Sequence, residues 1–423
     1  MPWRGCNNSA GRPDLRIAVV SPFVDKQHGT ERALIELLQR LARDYGVEIH
    51  LYAQRVADLT LSDSSEVVPR SGSAKGPIVW HKVPSIPGPH LLQYLWWFLA
   101  NRLIRWFDVQ FGKLSPDLVY SPCINSSDAN AITVHIVFCA FYQEVRPQLR
   151  FSSTSPLRWP LLIHRLIYYR LIMALEHRIY ARPQVALSAI SALVSGQLRR
   201  FFGRDDSVVA RYGLDTHQFN ARARFALRET ARSSFGASPH EFVFLLIGND
   251  WKKKGLDALL EALTECTDLP VRLFVVGKDQ REPYIRQREE LQLGSRVGFL
   301  NPSADVLQFY AAADAYVGPS LEDAYGLPIL EAMACGLPVI ASVAAGASEI
   351  IRHKENGLLL QDPRDVKTLA QLMRELCVSP EFAGSLGAAA ERTAAAQSWD
   401  AHAARIHEQF VQILSAKSKV ASR

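Results

Sequence analysis

Residues 315–341, AYVGPSLEDAYGLPILEAMACGLPVIA, decide the interpretation of this chain. The first residues form an apolar run that ends at Pro319 and predicts a buried strand, and residues 320–327 follow as a loop. Pro328 suits the first turn of a helix because its missing N–H is not needed there, and Gly336 suits the end of that helix. A further apolar run follows. The spacing therefore predicts strand, loop, helix and strand in one α/β unit.

The start of this helix is a predicted ligand site. In a parallel sheet, helices begin beside the carboxyl ends of the strands, where such folds bind ligands. The free N–H groups of the first turn favour a phosphate, and Gly326 lets the backbone approach it closely. Asp323 and Glu331 lie eight residues apart, and carboxylates beside a diphosphate suit hydrogen bonds from sugar hydroxyls. The alternative is that Glu331 caps its helix and Asp323 is a solvated loop acid.

The segment resembles the E-x7-E region of the GT4 family of retaining GT-B glycosyltransferases, and the resemblance extends over most of the chain. It implies an α/β protein with two Rossmann-like, doubly wound parallel-sheet domains that face each other across a cleft. It implies that Glu331 binds the ribose of a nucleotide, and that backbone at Gly326 and Leu327 contacts the donor. The family has Glu where this chain has the shorter Asp323, whose implied role is to orient the donor sugar; Glu322 is adjacent but out of register.

A lysine-rich stretch follows an earlier predicted strand, with the sequence GNDWKKKG at residues 248–255. Three lysines at a helix start oppose the helix dipole, which favours phosphate binding over a merely solvated run. The family places a lysine at the position of Lys254 to clamp the donor diphosphate, and an arginine where this chain has Asn249. The resemblance therefore implies a catalytic role for Lys254, with Lys252 or Lys253 supplying the second charge.

Three further positions match the family. His135 follows a predicted strand at the place of an active-site histidine, with a buried core histidine as the alternative reading. Gly29, after His28, matches a glycine loop that brings backbone N–H groups to the phosphates, although it could simply form a turn. Val297 begins a predicted strand whose end resembles the place where the family contacts the base. Tyr212 occupies the place of an asparagine, and Glu349 matches a common glutamate with no assigned role.

The length of 423 residues favours two domains. A strand, helix and strand at residues 15–22, 30–43 and 47–53 predict the opening of a doubly wound sheet. A second alternation begins near residue 205. We predict an acceptor-binding domain at 14–208, a nucleotide-sugar-binding domain at 209–396, and a C-terminal helix at 397–417 that returns to the first domain.

Composition narrows the class of protein. The chain is 48% hydrophobic and 21% charged with a net charge of +6, as expected for a globular protein. Six scattered cysteines form no CxxC pair and predict no zinc or redox site. The first residues lack the apolar run of a signal peptide, so we expect a cytoplasmic protein. A D-x-D pattern is absent from the sequence, and we expect no metal and no cofactor, because Lys254 and a helix start would stabilise the leaving group.

Two segments are unusually aromatic or basic. Residues 91–111 are rich in aromatic side chains, and residues 146–182 contain seven arginines and one acid. Such surfaces suit an anionic lipid interface, although a bulky acceptor pocket or plain core would share the pattern. We expect peripheral contact with the inner face of a membrane. Nucleic acid is not an expected partner, because no nucleic-acid module is recognisable.

The resemblance implies a retaining, metal-independent glycosyltransferase of the hexosyltransferase class. It would move a sugar from a UDP-, GDP- or ADP-sugar to a hydroxyl of a glycan or lipid-linked acceptor, as in polysaccharide or lipopolysaccharide biosynthesis. The alternatives are a non-catalytic nucleotide-sugar-binding protein and a nucleotide-sugar epimerase or phosphorylase on the same fold.

Overall fold

The computed structural model describes residues 15–25, 29–62, 76–112, 114–146, 149, 157 and 159–421. The first half alternates strands and helices, as the sequence predicts. Its elements are β1 (Arg16–Val20), β2 (Phe23–Val24), α1 (Gly29–Tyr45), β3 (Glu48–Ala53), β4 (Arg55–Val56), β5 (Ile78–Lys82), α2 (His90–Phe111), β6 (Leu118–Pro122), β7 (Ala131–Val134), α3 (Phe138–Val145), α4 (Trp159–Tyr180), β8 (Ala186–Ala189), α5 (Ala192–Phe202) and β9 (Val208–Val209).

The second half repeats the alternation of strands and helices. Its elements are α6 (Ala221–Ser234), β10 (Phe242–Ile247), α7 (Leu256–Thr264), β11 (Val271–Val276), α8 (Glu282–Glu290), β12 (Val297–Leu300), α9 (Leu307–Ala312), β13 (Ala315–Gly318), α10 (Leu327–Ala334), β14 (Val339–Ser342), β15 (Leu358–Leu360), α11 (Val366–Val378), α12 (Pro380–Ala394) and α13 (Trp399–Ala421).

Contacts divide the chain into two compact units. Unit 1 comprises Met1–Ile132, Arg182–Ala186 and Ile406–Arg423, and unit 2 comprises Thr133–Ala181 and Leu187–Arg405. The boundary passes through β7, β8 and α13. The three domain ranges derived from the sequence stay a prediction.

Unit 1 is built on parallel strands. β1 pairs with β3 on one side and with β6 on the other, and β5 lies beyond β3. Within unit 1 these strands stand in the order β5-β3-β1-β6. Helix α1 buries a leucine-rich face, as its 3.6-residue periodicity predicts. A small core of Ala18, Val20, Tyr52, Trp97 and Ala100 packs α2 against this sheet.

Unit 2 contains a second parallel sheet with the order β12-β11-β10-β13-β14-β15. The strand order changes direction between β10 and β13, which are neighbours with Leu245 opposite Tyr316. In doubly wound sheets, the ends of the strands at such a switch point form the ligand-binding crevice. The segments that follow β10 and β13 are the lysine-rich stretch and the loop before α10. The topology therefore places the two predicted phosphate and sugar segments side by side.

Several elements differ from the predictions. β5, α3, α5 and α6 were not predicted, and α9 begins at Leu307, after a turn in which the Ser303 hydroxyl accepts from Asp305 N. The helix α12 was not predicted either. This helix buries Ala383, Leu386, Ala390 and Ala394 on one face. Alanines are weak hydrophobic signals but strong helix formers, which explains the missed helix.

Candidate functional site

The loop before α10 is held in one conformation by its backbone. Leu321 N donates to Lys253 O at 2.7 Å, and Asp323 N donates to Ala344 O at 3.0 Å. Gly326 has φ 89°, in the left-handed region that favours glycine. A Cβ at Gly326 would lie 3.2 Å from Asp323 Oδ2. The glycine therefore permits both the turn into α10 and the position of the Asp323 carboxylate.

The lysine-rich turn meets this loop through two parallel ion pairs. Lys254 pairs with Asp323, and Lys253 Nζ lies 3.1 Å from Glu322 Oε2. Lys253 Nζ also lies 4.0 Å from the centroid of the Phe141 ring, a cation–π contact. A Cβ at Gly248 would lie 2.7 Å from Lys254 Cε, so the glycine leaves room for this side chain. Two lysines and two carboxylates thus balance one another beside the start of α10.

Glu331 lies further along α10 and is 6% exposed. Its Oε2 accepts a hydrogen bond from Tyr310 OH at 2.8 Å. Burial, followed by the nearby Glu331 carboxylate, raises the pKa of Tyr310 well above its ordinary value, so the phenol keeps its proton and donates. The assignment of Glu331 to a ribose stays a prediction, because at least one of its oxygens is engaged by Tyr310.

His135 directly follows β7 and lies in unit 2 with the residues above. Its Nδ1 is 3.0 Å from Tyr212 OH. Burial, with a smaller contribution from His402, lowers the pKa of His135 to about 3, so the imidazole is neutral at physiological pH. Tyr325 OH donates to Tyr212 O at 2.7 Å, and Tyr325 N donates to Asp323 Oδ1 at 3.3 Å. These contacts link His135 to the acid loop.

The remaining predicted residues begin secondary structure elements. Gly29 is the first residue of α1 in unit 1, and the preceding His28 lies outside the described residues. Leu327 begins α10, and Val297 begins β12, where it lies opposite Leu273. The structure thus brings Lys253, Lys254, Asp323 and Gly326 together. The roles predicted for all of these residues stay predictions.

Sequence reasoning missed the partners in this network. It left Glu322 without a role, although a doublet of acids beside a doublet of lysines was a usable signal. It gave no role to Tyr310 or Tyr325, for which the sequence offers no local signal. Asn249, at the arginine position of the family, accepts a hydrogen bond from Lys278 N at 2.8 Å.

Glu349 also had no assigned role in the sequence. Its Oε2 accepts from Ala192 N at 2.5 Å, and its other oxygen pairs with Arg211. The carboxylate therefore caps the start of α5, where the helix dipole favours a negative charge. Within the described residues, there is no cluster of three or more His, Cys, Asp or Glu side chains suited to a metal ion.

Sequence comparison identifies the segment that contains this site. Residues 228–393 match the family described as "Glycosyl transferases group 1". This segment is therefore similar to the glycosyl transferases group 1 family. The match confirms the family resemblance inferred from residues 315–341.

Two curated relatives share part of this chain. The D-inositol 3-phosphate glycosyltransferase of Rhodococcus erythropolis (strain PR4 / NBRC 100887) is 33% identical over 195 residues, 43% of this chain and 44% of that protein. The lipopolysaccharide glucosyltransferase WaaG of Escherichia coli (strain K12) is 30% identical over 151 residues, 35% of this chain and 40% of WaaG. In sequence, the chain spans less than half the length of either relative.

Solved structures of glycosyltransferases extend the likeness to the whole fold. The crystal structure of WaaG superposes with a TM-score of 0.72 and 18% identity, covering 93% of this chain and 99% of WaaG. The crystal structure of Anabaena HepE in complex with UDP-glucose superposes with a TM-score of 0.64 and 20% identity, covering 95% of this chain and 100% of HepE. These likenesses confirm the predicted GT-B fold class with two parallel-sheet α/β domains.

Proposed function

We propose that this chain, whose residues 228–393 match the glycosyl transferases group 1 family, is a retaining, metal-independent glycosyltransferase of the GT4 type. It would transfer a sugar from a nucleotide-diphosphate sugar to a hydroxyl of a glycan or lipid-linked acceptor. The observation that carries the proposal is the meeting of Lys253 and Lys254 with Glu322 and Asp323, next to the start of α10 and at the switch point of the unit 2 sheet. The similarity to WaaG, a lipopolysaccharide glucosyltransferase, and to HepE, which has been solved in complex with UDP-glucose, supports this class of donor.

The site offers what departure of a nucleoside diphosphate requires. During transfer the bond from the anomeric carbon to the phosphate oxygen breaks, and a bond from that carbon to the acceptor oxygen forms on the same face. The acceptor proton passes to the departing phosphate oxygen. Lys254 and the backbone N–H groups that begin α10 would stabilise the charge that develops on the phosphate. Asp323 would accept hydrogen bonds from donor-sugar hydroxyls, and Glu331 from the ribose.

Product analysis tests the transferase against its alternatives. A donor with a labelled sugar is incubated with glycan and lipid-linked acceptors, and the anomeric configuration of the product is determined by NMR. A retained configuration supports the proposal, and an inverted one refutes the retaining mechanism. An epimerised donor released into solution would identify an epimerase. A donor that is bound but left unchanged would identify a non-catalytic nucleotide-sugar-binding protein.

The nucleotide class is best determined by thermal-shift measurements with UDP-, GDP- and ADP-sugars. A ligand that binds only the folded protein stabilises it by RT ln(1 + [L]/Kd), where [L] is the free ligand concentration, and so raises its melting temperature. We expect one class to stabilise the protein and Lys254→Ala and Glu331→Ala to abolish the effect together with turnover. Lys367→Ala, at an exposed position on α11, is the matched control. Normal turnover in Lys254→Ala would contradict the assignment of this lysine.

We further propose that the protein contacts an anionic membrane surface. The outer side of α2 exposes a row of apolar side chains, which we call the α2 surface: Leu92, Leu95, Leu99, Leu103, Trp106, Phe107 and Phe111. Helix α4 exposes Trp159, Leu161, Ile163 and Ile167 together with Arg165 and Arg170, which we call the α4 surface. Apolar and aromatic side chains with arginines suit the headgroup region of an anionic bilayer.

Vesicle co-sedimentation tests this contact. Among the residues that the structure describes, no helix has the length and hydrophobicity needed to cross a bilayer. We expect binding to vesicles that contain phosphatidylglycerol and weaker binding to phosphatidylcholine alone. Arg170→Glu should weaken the binding, whereas Arg286→Glu, an exposed arginine on α8, should not. Equal binding to both kinds of vesicle would refute an electrostatic contact. The cytoplasmic location stays a prediction.

A further inference from the structure

The hydrogen bond between Tyr212 and His135 lies inside unit 2 and is shielded from water. Tyr212 is 3% exposed and His135 is 6% exposed. The phenolic oxygen is 3.0 Å from Nδ1 of the imidazole, and the two rings are nearly perpendicular with centroids 5.7 Å apart. Tyr212 stands where the family resemblance places an asparagine. A longer side chain with a hydroxyl at its tip therefore occupies the place of a short amide.

We propose that Tyr212 is a positioning residue that donates its hydroxyl proton to Nδ1 of His135 and thereby keeps the other ring proton on Nε2. The tautomer decides which ring nitrogen of His135 can donate a hydrogen bond and which can accept one. The consequence for catalysis rests on the proposed function, in which His135 lies at the active site. The tautomer itself does not depend on that function.

The direction of the hydrogen bond follows from the chemistry of the two groups. A phenol O–H is a strong donor, and the bare nitrogen of a neutral imidazole is a strong acceptor. Burial keeps His135 neutral by lowering its pKa to about 3, so only one ring nitrogen carries a proton. Which nitrogen carries it is set by the hydrogen bond that the other one makes. Donation to Nδ1 places the proton on Nε2.

The surroundings hold Tyr212 firmly enough for this task. His402 Nδ1 lies 3.2 Å from Ala210 O and 3.0 Å from Arg211 O, so that nitrogen must carry a proton and donate to the backbone before Tyr212. Tyr325 OH donates to Tyr212 O at 2.7 Å. The Tyr212 ring also packs against Trp399, with centroids 5.6 Å apart. These contacts fix the backbone and ring, which leaves the hydroxyl aimed at His135.

Tyr212 also connects His135 with the acid loop. Tyr325, which bonds the backbone of Tyr212, also donates its own N–H to Asp323. His135 therefore contacts Tyr212 directly, and Asp323, predicted to orient the donor sugar, is connected to Tyr212 through Tyr325. A purely space-filling tyrosine would give the same packing without controlling the imidazole proton, so the experiment must observe that proton.

The test is long-range proton–nitrogen NMR of the full chain with 15N-labelled histidine. The sequence has 12 histidines, and the His135 signals are assigned by their loss in His135→Gln. We expect the Nε2–H tautomer in the unaltered protein and a mixture of tautomers in Tyr212→Phe. Tyr325→Phe is the matched control, because it removes a hydroxyl from the same cluster but leaves the bond to Nδ1. A proton on Nδ1 in the unaltered protein, or an unchanged spectrum in Tyr212→Phe, would overturn the proposal.

Kinetics then separate this inference from the proposed function. We expect Tyr212→Phe to lower kcat by about threefold to tenfold, the effect of one hydrogen bond, with the KM for the donor unchanged. A normal kcat in Tyr212→Phe, with the tautomers mixed, would overturn the positioning role. If the unaltered protein shows the Nε2–H tautomer but transfers no sugar, the proposed function fails and the tautomer assignment stands.

Discussion

Glu322 gives the sharpest test of how the site binds a diphosphate. Its carboxylate lies 3.1 Å from Lys253 Nζ, and Asp323 pairs with Lys254, so the four charges sum to zero. A diphosphate that approaches this group meets balanced charge and must compete with the carboxylates. We predict that Glu322→Gln, which removes one competitor and keeps the shape, strengthens the binding of a nucleoside diphosphate.

The size of the effect follows from the exposure of the pair. The Lys253 and Glu322 side chains are 30% and 17% exposed, so solvent screens them partly, and pairs of this kind are worth about 1 kcal/mol or less. One kcal/mol corresponds to about a fivefold change in Kd. We therefore expect Glu322→Gln to bind the nucleoside diphosphate up to about fivefold more tightly.

Isothermal titration calorimetry with the stabilising nucleoside diphosphate measures this change. The gain should shrink at high salt, because it is electrostatic. Glu375→Gln is the matched control: it breaks a similar pair, in which Lys354 Nζ lies 2.9 Å from Glu375 Oε1, and should leave the Kd unchanged. Equal or weaker binding in Glu322→Gln would show that this carboxylate does not compete with phosphate and would refute the reasoning.

Three further outcomes are expected. Burial raises the pKa of Glu176 from 4.5 to about 7 against two backbone N–H bonds, so the folded protein holds this proton more tightly than the unfolded chain. The contribution of Glu176 to the free energy of unfolding is fully present below pH 4.5, and about 3 kcal/mol of it is lost as the pH rises through 7. Urea unfolding from pH 5 to 8 should show a matching change in the difference in free energy of unfolding between the unaltered protein and Glu176→Gln. A difference that stays constant with pH would contradict this prediction. In the same assay, Gly326→Ala should lower the free energy of unfolding by about 1–2 kcal/mol, because its φ of 89° is unfavourable for a residue with a Cβ. Gly384→Ala, where a Cβ meets nothing within 4 Å, should not lower the free energy of unfolding. Tyr310→Phe should destabilise the fold by about 1–3 kcal/mol, because the buried Glu331 loses a donor; an unchanged midpoint would mean that another group replaces it.

The sequence predicted the fold well because the strands of both sheets are short apolar runs separated by turn residues. β1, β3 and β13 lie where such runs predicted them. The helix α12 was missed because its buried face contains mostly alanines. In the candidate site, Lys254 and Asp323 were found separately from their motifs. Their direct pairing depends on β10 and β13 being neighbours, and strand order cannot be derived from local patterns.

The ion pairs suggest how recognition of the two halves of a donor is linked. In the structure, one oxygen of Asp323 is engaged by Lys254 and the other accepts from Tyr325 N at 3.3 Å. In the proposed function, a diphosphate that draws Lys254 to itself also frees an oxygen of Asp323 to accept from a sugar hydroxyl. The shorter aspartate suits this exchange, because its Oδ2 already lies within reach of both Lys254 and the start of α10 at Gly326. Phosphate binding and sugar binding would then be coupled, since both draw on the ion pair between Lys254 and Asp323.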